Sequence, residues 1–279
     1  MDSGKVAELT RRGIVAVGGT DAEKFLNDLM TSDVPKSEGA VAYGGLLTPQ
    51  GKVLFDFLVF REGDRYLFDL PWALVADFVK RLTFYRLRAK VEIAALPDRH
   101  AVAIWGNGGG EAADPRLAAL GTRTVVTGPV SANATEADYD AHRIALGVPE
   151  GGVDFAFGDA FPHDADMDQL SGVDFVKGCY VGQEVVSRME HRGTARRRFV
   201  LAHASAALPP IGTPIFAGEK PIGTLGSSTG GTGLALIRLD RAKDAMDHGV
   251  PITAGGAGLT LTLPPWAKFG WPATVAAED

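Results

Sequence analysis

Apolar and polar residues alternate along the first half of the chain in patterns typical of strands and helices. Residues 41–47 and 52–60 are strand-like, and the short turn between them has the proline and glycine placement of a type I turn, which predicts a β-hairpin. Apolar residues recur at helical spacing over 20–30 and 71–85, so a helix is expected on each side of the hairpin. A similar alternation recurs over 101–146. These patterns predict two α+β lobes.

The pattern changes after Arg198. Short apolar segments then alternate with proline and glycine, which is typical of a small antiparallel barrel or sandwich. The chain has 35 glycines in 279 residues, well above the usual share of about 7%, and this excess also favours turns and β-structure. We therefore expect two domains, residues 1–196 with the two lobes and residues 197–279 with the β-rich unit.

Composition excludes several classes of protein. With 46% apolar and 22% charged residues, the chain is neither disordered nor fibrous, and no apolar run approaches the roughly 18 residues of a membrane span. The formal net charge of −6 disfavours general nucleic-acid binding. A single cysteine allows no intrachain disulfide, and the N-terminal residues show no secretion-signal pattern. We expect a monomeric, cytoplasmic protein.

The most unusual stretch is residues 177–184, which read Lys-Gly-Cys-Tyr-Val-Gly-Gln-Glu. Cys179 lies between two glycines and ahead of a predicted helix, and Gly178 would allow a sharp entry into that helix. A helix N-terminus and a nearby Lys177 would both stabilise a thiolate. The stretch predicts a reactive thiol, although a lone cysteine is more often an inert buried residue.

A second local feature is basic. Five arginines lie within eleven residues, together with one histidine; they are Arg188, Arg192, Arg196, Arg197, Arg198 and His191. Such a patch could hold an anionic ligand or an RNA backbone. It could equally be a run of ordinary surface ion pairs that ties two lobes together. RNA binding is disfavoured, because few aromatic residues are interleaved with the arginines.

Other candidates carry less weight. The six histidines show no metal-ligand spacing with Cys179, so no metal site is expected. Residues 107–110 predict a loop that lacks the lysine of a phosphate-binding P-loop. A few aromatic side chains are more typical of packing, but each could stack on a ligand ring; they are Tyr43, Tyr66, Phe84 and Tyr85.

The stretch 177–184 resembles the signature of the YgfZ family, which comprises folate-binding relatives of the glycine-cleavage T-protein and includes mitochondrial iron–sulfur assembly proteins. The resemblance extends from about residue 13 to 265. Shorter matches support it at 25–28, 31–34, 49–52, 56–59, 147–150, 222–224 and 234–238.

The resemblance implies an α+β fold, namely a T-protein-like ring of two interleaved α+β subdomains and a C-terminal antiparallel β-barrel, with tetrahydrofolate in the central hole. It implies that Cys179 is the functional thiol and that Lys177 and Glu184 tune and position it. The residues that would contact folate are Asp56, Asp164, Tyr180, Gln183, Arg188 and Arg192.

Two departures from the family pattern bear on activity. T-proteins have a pair of aspartates, one of them catalytic, where this chain has Phe55 and Asp56, which places aminomethyl transfer in doubt. In the stretch 161–168, Asp164 stands where glutamate is usual and Asp166 where asparagine is usual. The carboxylate of Asp164 can accept paired hydrogen bonds from a pterin. The alternative interpretation of the stretch is an acidic loop that faces solvent.

Three hypotheses follow. The preferred one is a tetrahydrofolate-binding accessory protein for iron–sulfur cluster assembly or repair, whose partners are assembly factors or cluster-containing client proteins. Since one cysteine cannot hold a cluster alone, any cluster would be transient or shared between chains. The second is a folate-dependent aminomethyl- or methyltransferase of the T-protein type, and the third a structural interaction module. Whether the protein is an enzyme stays open.

Overall fold

The computed structural model describes residues 4–106, 113–193 and 195–272. The loop predicted at 107–110 lies outside these residues. Up to residue 192 the elements are, in chain order, β1 (Lys5–Glu8), β2 (Arg12–Gly18), α1 (Ala22–Asn27), β3 (Val41–Leu47), β4 (Val53–Glu62), β5 (Arg65–Pro71), α2 (Val75–Arg86), β6 (Glu92–Ala95), β7 (Arg99–Trp105), β8 (Thr122–Thr127), α3 (Glu136–Ala145) and α4 (Gln183–Arg192).

The first lobe is built on a five-stranded sheet in the order β3-β4-β5-β2-β6. Strands β3 and β4 form the predicted hairpin, with Gly45 opposite Asp56 in an antiparallel register. Side chains alternate along β4, so that Phe55 and Phe57 pack on Phe78 of α2, with ring centroids 5.3 and 5.5 Å from it. Asp56 and Leu58 therefore face the opposite side of the sheet, toward the second lobe.

The second lobe is a three-stranded sheet in the order β1-β7-β8. Strand β1 comes first in the chain but pairs with β7, antiparallel, with Lys5 opposite Trp105. The chain thus enters the second lobe, leaves it to build the first, and returns. The two lobes are interleaved in the way that the family resemblance implies.

The C-terminal part is a seven-stranded antiparallel sheet in the order β14-β13-β10-β11-β12-β9-β15. Among the described residues these strands pair only with one another, and we keep a domain boundary at residue 197 as a proposal. Its elements are β9 (Arg197–His203), β10 (Pro214–Ala217), β11 (Lys220–Thr229), β12 (Thr232–Arg238), α5 (Leu239–Asp247), β13 (Ile252–Ala254), β14 (Ala257–Gly258) and β15 (Thr260–Thr262).

Three apolar clusters form the core. One lies between the five-stranded sheet and its helices, and another inside the barrel. The third joins all three sheets, because it includes Leu58 of β4, Trp105 of β7 and Phe199 of β9. The lobes and the barrel therefore share one continuous core.

Some elements differ from the expectations. The helix predicted after residue 20 ends at Asn27, and its N-cap Asp21 does not cap it through the side chain, since that carboxylate accepts a hydrogen bond from the backbone N–H of Lys90 at 2.7 Å. A reciprocal capping box forms at Thr135 and Asp138, at the start of α3. Within the described ranges, no helix is long and apolar enough to span a bilayer.

Candidate functional site

Cys179 lies on an irregular stretch that leads into α4, and its side chain is exposed. The helix begins only at Gln183, with Gly182 as its N-cap. The expectation of a thiol at the first turn of this helix is therefore wrong. We call residues 174–182 the motif segment.

Lys177 anchors the motif segment to the first lobe. Its Nζ donates hydrogen bonds to the carbonyl oxygens of Asn27 (2.9 Å), Met30 (2.7 Å) and Ser32 (3.1 Å). The side chain is 2% exposed, and Asp33 lies 3.6 Å away. Burial lowers the pKa of Lys177. The ammonium thus binds the end of α1 and the loop that follows it, and its predicted influence on the thiol stays a prediction.

Asp174 and Tyr180 hold the two ends of the same segment. The Asp174 carboxylate accepts hydrogen bonds from the backbone N–H groups of Val176 (2.8 Å) and Lys177 (3.1 Å). Tyr180 is buried, and burial together with Asp174 raises its pKa to about 12. Its hydroxyl has no hydrogen-bond partner within the described residues. Tyr180 packs the segment onto the core, so it does not offer a surface to folate.

Glycine is required at Gly182 rather than at Gly178. Gly182 has φ +84°, and a Cβ there would lie 2.5 Å from the carbonyl oxygen of Thr48 and 3.1 Å from the Cα of Gly51. The hairpin turn of the first lobe therefore packs directly on the start of α4. A Cβ at Gly178 would meet open space, and the sharp helix entry expected there is wrong.

The anchored segment carries an exposed apolar surface beside its thiol. Val176 is 94% exposed and Phe175 is 37% exposed. Both side chains precede Cys179 in a stretch whose backbone is fixed by Asp174 and Lys177. The arrangement presents one thiol and two apolar side chains on a rigid support.

The predicted ligand residues of α4 lie on its outer surface. Glu184 and Arg188 are exposed and pair with each other at 2.5 Å, one helical turn apart. Arg192 is exposed at the end of the helix, and Gln183 is its first residue. An i,i+4 surface pair of this kind contributes only a few tenths of a kcal/mol.

The basic run ties the barrel to the loop before the motif segment. Arg197 contacts both oxygens of Asp164, at 2.7 and 3.3 Å. Arg198 contacts both oxygens of Asp168, at 2.5 and 2.8 Å, and also Asp166 at 3.2 Å. Asp164 is thus bound by an arginine of this chain at the position expected to bind a pterin.

Three groups in this region lie close enough to hold a cation. Ligand atoms of His163, Asp168 and Glu190 lie within 4.8 Å of one another. Arg198 already contacts both oxygens of Asp168 with its own positive charge. The geometry is that of an ion-pair network, and we assign no metal to it.

The interlobe cavity is the feature nearest to a central ligand site. It has a volume of about 20 Å³, room for about one water molecule. Both lobes line it, and the segment around Asp164 does not. The charged and tyrosine side chains that line it are Arg11, Arg12, Tyr43, Asp56, Arg116, Arg123, Glu136, Tyr139, Asp140, Arg143 and Glu150.

The cations of the interlobe cavity are paired. Asp69, which is fully buried, accepts a hydrogen bond from Nε of Arg12 (2.6 Å) and from Nε of Arg123 (2.9 Å). Burial opposes its ionisation, but the two guanidinium groups outweigh it and lower the pKa of Asp69. Arg116 pairs with Asp114 at 2.7 Å, and Arg143 with Asp154 at 2.8 Å.

Asp56 is the predicted site residue that does face this cavity. Its Oδ2 accepts a hydrogen bond from the Tyr43 hydroxyl at 3.1 Å, whereas its Oδ1 has no partner among the described residues. Burial raises the pKa of Asp56 despite the nearby Arg12 and Tyr43. Phe55 points into the core beneath α2, so only one carboxylate of the expected pair could act here.

The interlobe cavity does not fit a folate. Ligand sites for molecules of this size measure roughly 300–1,000 Å³. A cavity of about 20 Å³ filled by paired guanidinium and carboxylate groups leaves no room for a pterin ring. Of the expected folate residues, only Asp56 lines the cavity.

Larger hollows lie outside, along α2. One measures about 430 Å³ and includes Trp72 and Phe157; another measures about 540 Å³ and includes Lys80 and Arg81. Leu74 and Phe157 line both, so the two adjoin. We call them together the α2 groove. The sequence analysis did not identify this groove, although residues 80–90 contain three arginines and no acidic residue, beside Phe84 and Leu87.

Comparison with known proteins supports this architecture. Residues 196–269 match the family model described as CAF17, C-terminal beta-barrel domain. The solved structure of glycine cleavage system aminomethyltransferase T from Bartonella henselae superposes with a TM-score of 0.75 at 16% identity, over 95% of this chain and 86% of that one. The predicted α+β, T-protein-like fold with a C-terminal barrel is confirmed.

Two sequence relatives bear the same name. The iron-sulfur cluster assembly factor IBA57 homolog, mitochondrial, of Mycosarcoma maydis is 30% identical over 96% of this chain and 85% of its own length. The mitochondrial IBA57 of Homo sapiens is 28% identical over 95% of this chain and 84% of its own length. Because these relatives are named as mitochondrial, the expectation of a cytoplasmic protein is contradicted. The expected family is correct in its broader sense, although these relatives bear the name IBA57 rather than YgfZ.

Proposed function

This chain belongs to the IBA57 family of iron-sulfur cluster assembly factors, and from that membership we propose that it assists the assembly of iron–sulfur clusters through the thiol of Cys179. The observation that carries the proposal is the exposure of this one cysteine on an anchored segment. Membership of the family supports the role in cluster assembly. The exposure of Cys179 on the anchored motif segment supports the choice of this residue as the ligand.

The thiol would act as a ligand rather than as a redox partner. On binding, the thiol proton leaves, and a bond forms between the Cys179 Sγ and iron. Clusters are held by several cysteine thiolates, and this chain supplies one. The remaining ligands come from a partner, which we propose to be an assembly factor or client protein of the mitochondrial type. Phe175 and Val176 would provide apolar contacts for that partner.

We further propose that the protein binds tetrahydrofolate. Its support is the fold shared with an aminomethyltransferase. Because the interlobe cavity does not fit a folate, this ligand would bind elsewhere on the protein. The proposal thus includes the YgfZ-like role, namely that of a tetrahydrofolate-binding accessory protein for cluster assembly or repair. When bound, a folate would supply one-carbon chemistry; we derive no step through it.

A folate-dependent aminomethyltransferase is the second candidate. The observation in its favour is the unpartnered Oδ1 of Asp56, which faces the interlobe cavity. The size of that cavity speaks against it. Aminomethyl transfer by the wild-type protein in the presence of tetrahydrofolate, lost in Asp56→Asn, would establish this candidate.

Complementation of a strain that lacks its own copy of this factor tests the proposal. We expect Cys179→Ser to fail while its far-UV circular dichroism and urea unfolding match the wild type. A matched control moves the thiol: Cys179→Ser/Ser205→Cys keeps one exposed cysteine on the barrel. Failure of both variants supports the proposal, and full complementation by Cys179→Ser refutes it.

A further inference from the structure

We propose that the α2 groove binds an elongated ligand that has a flat aromatic ring at one end and an anionic tail at the other. The ring would lie between Trp72 and Phe157, and the tail beside Lys80 and Arg81. This site is separate from Cys179 and from the interlobe cavity.

Size is the first argument. The adjoining hollows measure about 430 and 540 Å³, each within the range of small-molecule sites. Their shared wall, Leu74 and Phe157, makes the groove longer than either hollow alone. An elongated molecule could therefore contact both ends at once.

Exposed aromatic rings are the second argument. Trp72 is 57% exposed, although it is a large apolar side chain on a lobe with a well-formed core. Phe157 is half-buried, and Val153 beside it is 40% exposed. A planar ring stacks favourably on an aromatic side chain, as bases do in single-stranded nucleic-acid sites. The first hollow thus offers two rings and few hydrogen-bonding groups, which suits a planar ligand.

Unpaired positive charge is the third argument. Neither Lys80 nor Arg81 forms a salt bridge with any residue that the structure describes, even though Asp77 lines the same hollow. Both side chains are exposed on α2, and Phe84, 73% exposed, lies one turn further along. On a chain of net charge −6 these cations are available for a carboxylate or a phosphate. The second hollow is therefore suited to an anion.

Two classes of ligand combine a planar ring with an anionic tail. A folate carries its ring and its glutamate carboxylates at opposite ends, and a nucleotide carries its base and its phosphates in the same way. The folate source rests on the proposed function, whereas the groove itself does not. Neither source depends on Cys179.

Titration of the full-length protein, followed by calorimetry and tryptophan fluorescence, tests the inference. The probes are 5-formyltetrahydrofolate with one and with five glutamates, ATP, and polyglutamate alone. We expect a ring-bearing probe to bind, and Lys80→Ala/Arg81→Ala to weaken it at least tenfold, because both cations that would hold the anionic tail are removed. Trp72→Ala should weaken the same probe and remove most of the fluorescence change.

Arg188→Ala/Arg192→Ala is the matched control, because it also removes two positive charges. These arginines lie on α4 and were the ones expected from the sequence to contact folate. It should change the affinity less than twofold. The inference is overturned if no ring-bearing probe binds below millimolar concentration, if polyglutamate alone binds as tightly, or if the control pair or Asp56→Asn causes the loss. Binding of ATP but not of the folates supports the groove and refutes its folate source. The proposed function is tested separately, and complementation by Cys179→Ser would refute it without bearing on the groove.

Discussion

The interlobe cavity and the α2 groove both combine arginines with aromatic rings, but they differ in how the charges are satisfied. In the cavity, Arg12 and Arg123 share Asp69, and the free volume is about 20 Å³. In the groove, Lys80 and Arg81 have no carboxylate partner in the part of the chain described, and each hollow exceeds 400 Å³.

The difference reflects burial. An unpaired charge in the interior costs several kcal/mol, so every buried guanidinium needs a carboxylate, and the pair then fills the space. At the surface, water solvates an unpaired cation, which stays available for a ligand. The motif segment shows the same contrast on a smaller scale, since Lys177 is buried and bound while Cys179 is exposed and free.

The largest effect is expected at the centre of the cavity. Asp69→Asn removes the carboxylate between two buried guanidinium groups, and should lower the free energy of unfolding at pH 7 by about 3–5 kcal/mol. Urea unfolding measures this. The folded pKa of Asp69 is lowered, so its stabilisation is complete above the unfolded value of 3.8 and is lost as the pH falls through the folded value.

The variant and the wild type should therefore converge in stability at low pH. Asp240→Asn is the control: Asp240 pairs with Arg238 at the surface, at 42% and 29% exposure, and its replacement should cost less than about 1 kcal/mol. If both substitutions cost the same, the buried network does not stabilise the fold as described.

A smaller loss is expected at the anchor of the motif segment. Lys177→Met keeps the length of the side chain but leaves the carbonyls of Asn27, Met30 and Ser32 without their donor, and should cost about 2 kcal/mol. Lys24→Met, at an 81% exposed side chain, is the matched control and should be nearly neutral. A neutral Lys177→Met would show that the segment does not need this anchor.

Asp56→Asn should act in the opposite direction. The pKa of Asp56 is raised by burial, so the folded protein holds this proton to higher pH than the unfolded chain, and stability falls as pH rises above 3.8. The amide avoids the buried charge and should raise the free energy of unfolding at pH 7 by about 1 kcal/mol. The gain should vanish near pH 3. A loss of stability at pH 7 would mean that the carboxylate is stabilised by its neighbours.

The smallest effect belongs to the groove. Lys80→Ala/Arg81→Ala should change the free energy of unfolding by less than about 0.5 kcal/mol, because both side chains are exposed and unpaired. Thermal unfolding without ligand measures it. A loss above 2 kcal/mol would place these residues among the structural charges and erase the contrast with the cavity.

The sequence predicted those features that depend on local pattern. The hairpin of β3 and β4 follows from strand-like runs around a proline–glycine turn. Strand β1 was missed, since four residues that pair with β7 almost a hundred positions later leave no local signal. The capping box at Thr135 was missed because aspartate, rather than glutamate, occupies its third helical position.

The site was harder to predict, because charge alone does not show pairing. Asp164 was expected to bind a ligand, yet it pairs with Arg197 across a sequence separation of 33 residues, which agrees with the alternative interpretation of the basic run as ion pairs that tie lobes together. Lys177 was expected to tune the thiol, and nothing in the sequence indicated that its ammonium donates to carbonyls 145 to 150 residues away. The structure places Cys179 at the surface and Asp56 at a cavity shared by both lobes, while the roles predicted for them stay predictions.

Hydrogen–deuterium exchange of the full-length protein, with and without 5-formyltetrahydrofolate pentaglutamate, tests most directly the claim that exposed, unpaired groups bind ligand while the paired centre holds the fold. We expect slower exchange in α2 and in residues 150–158 on addition of the probe, with β3, β8 and α3 unchanged. Protection of β3, β8 and α3 without a change in α2 would contradict it and return the ligand to the space between the lobes.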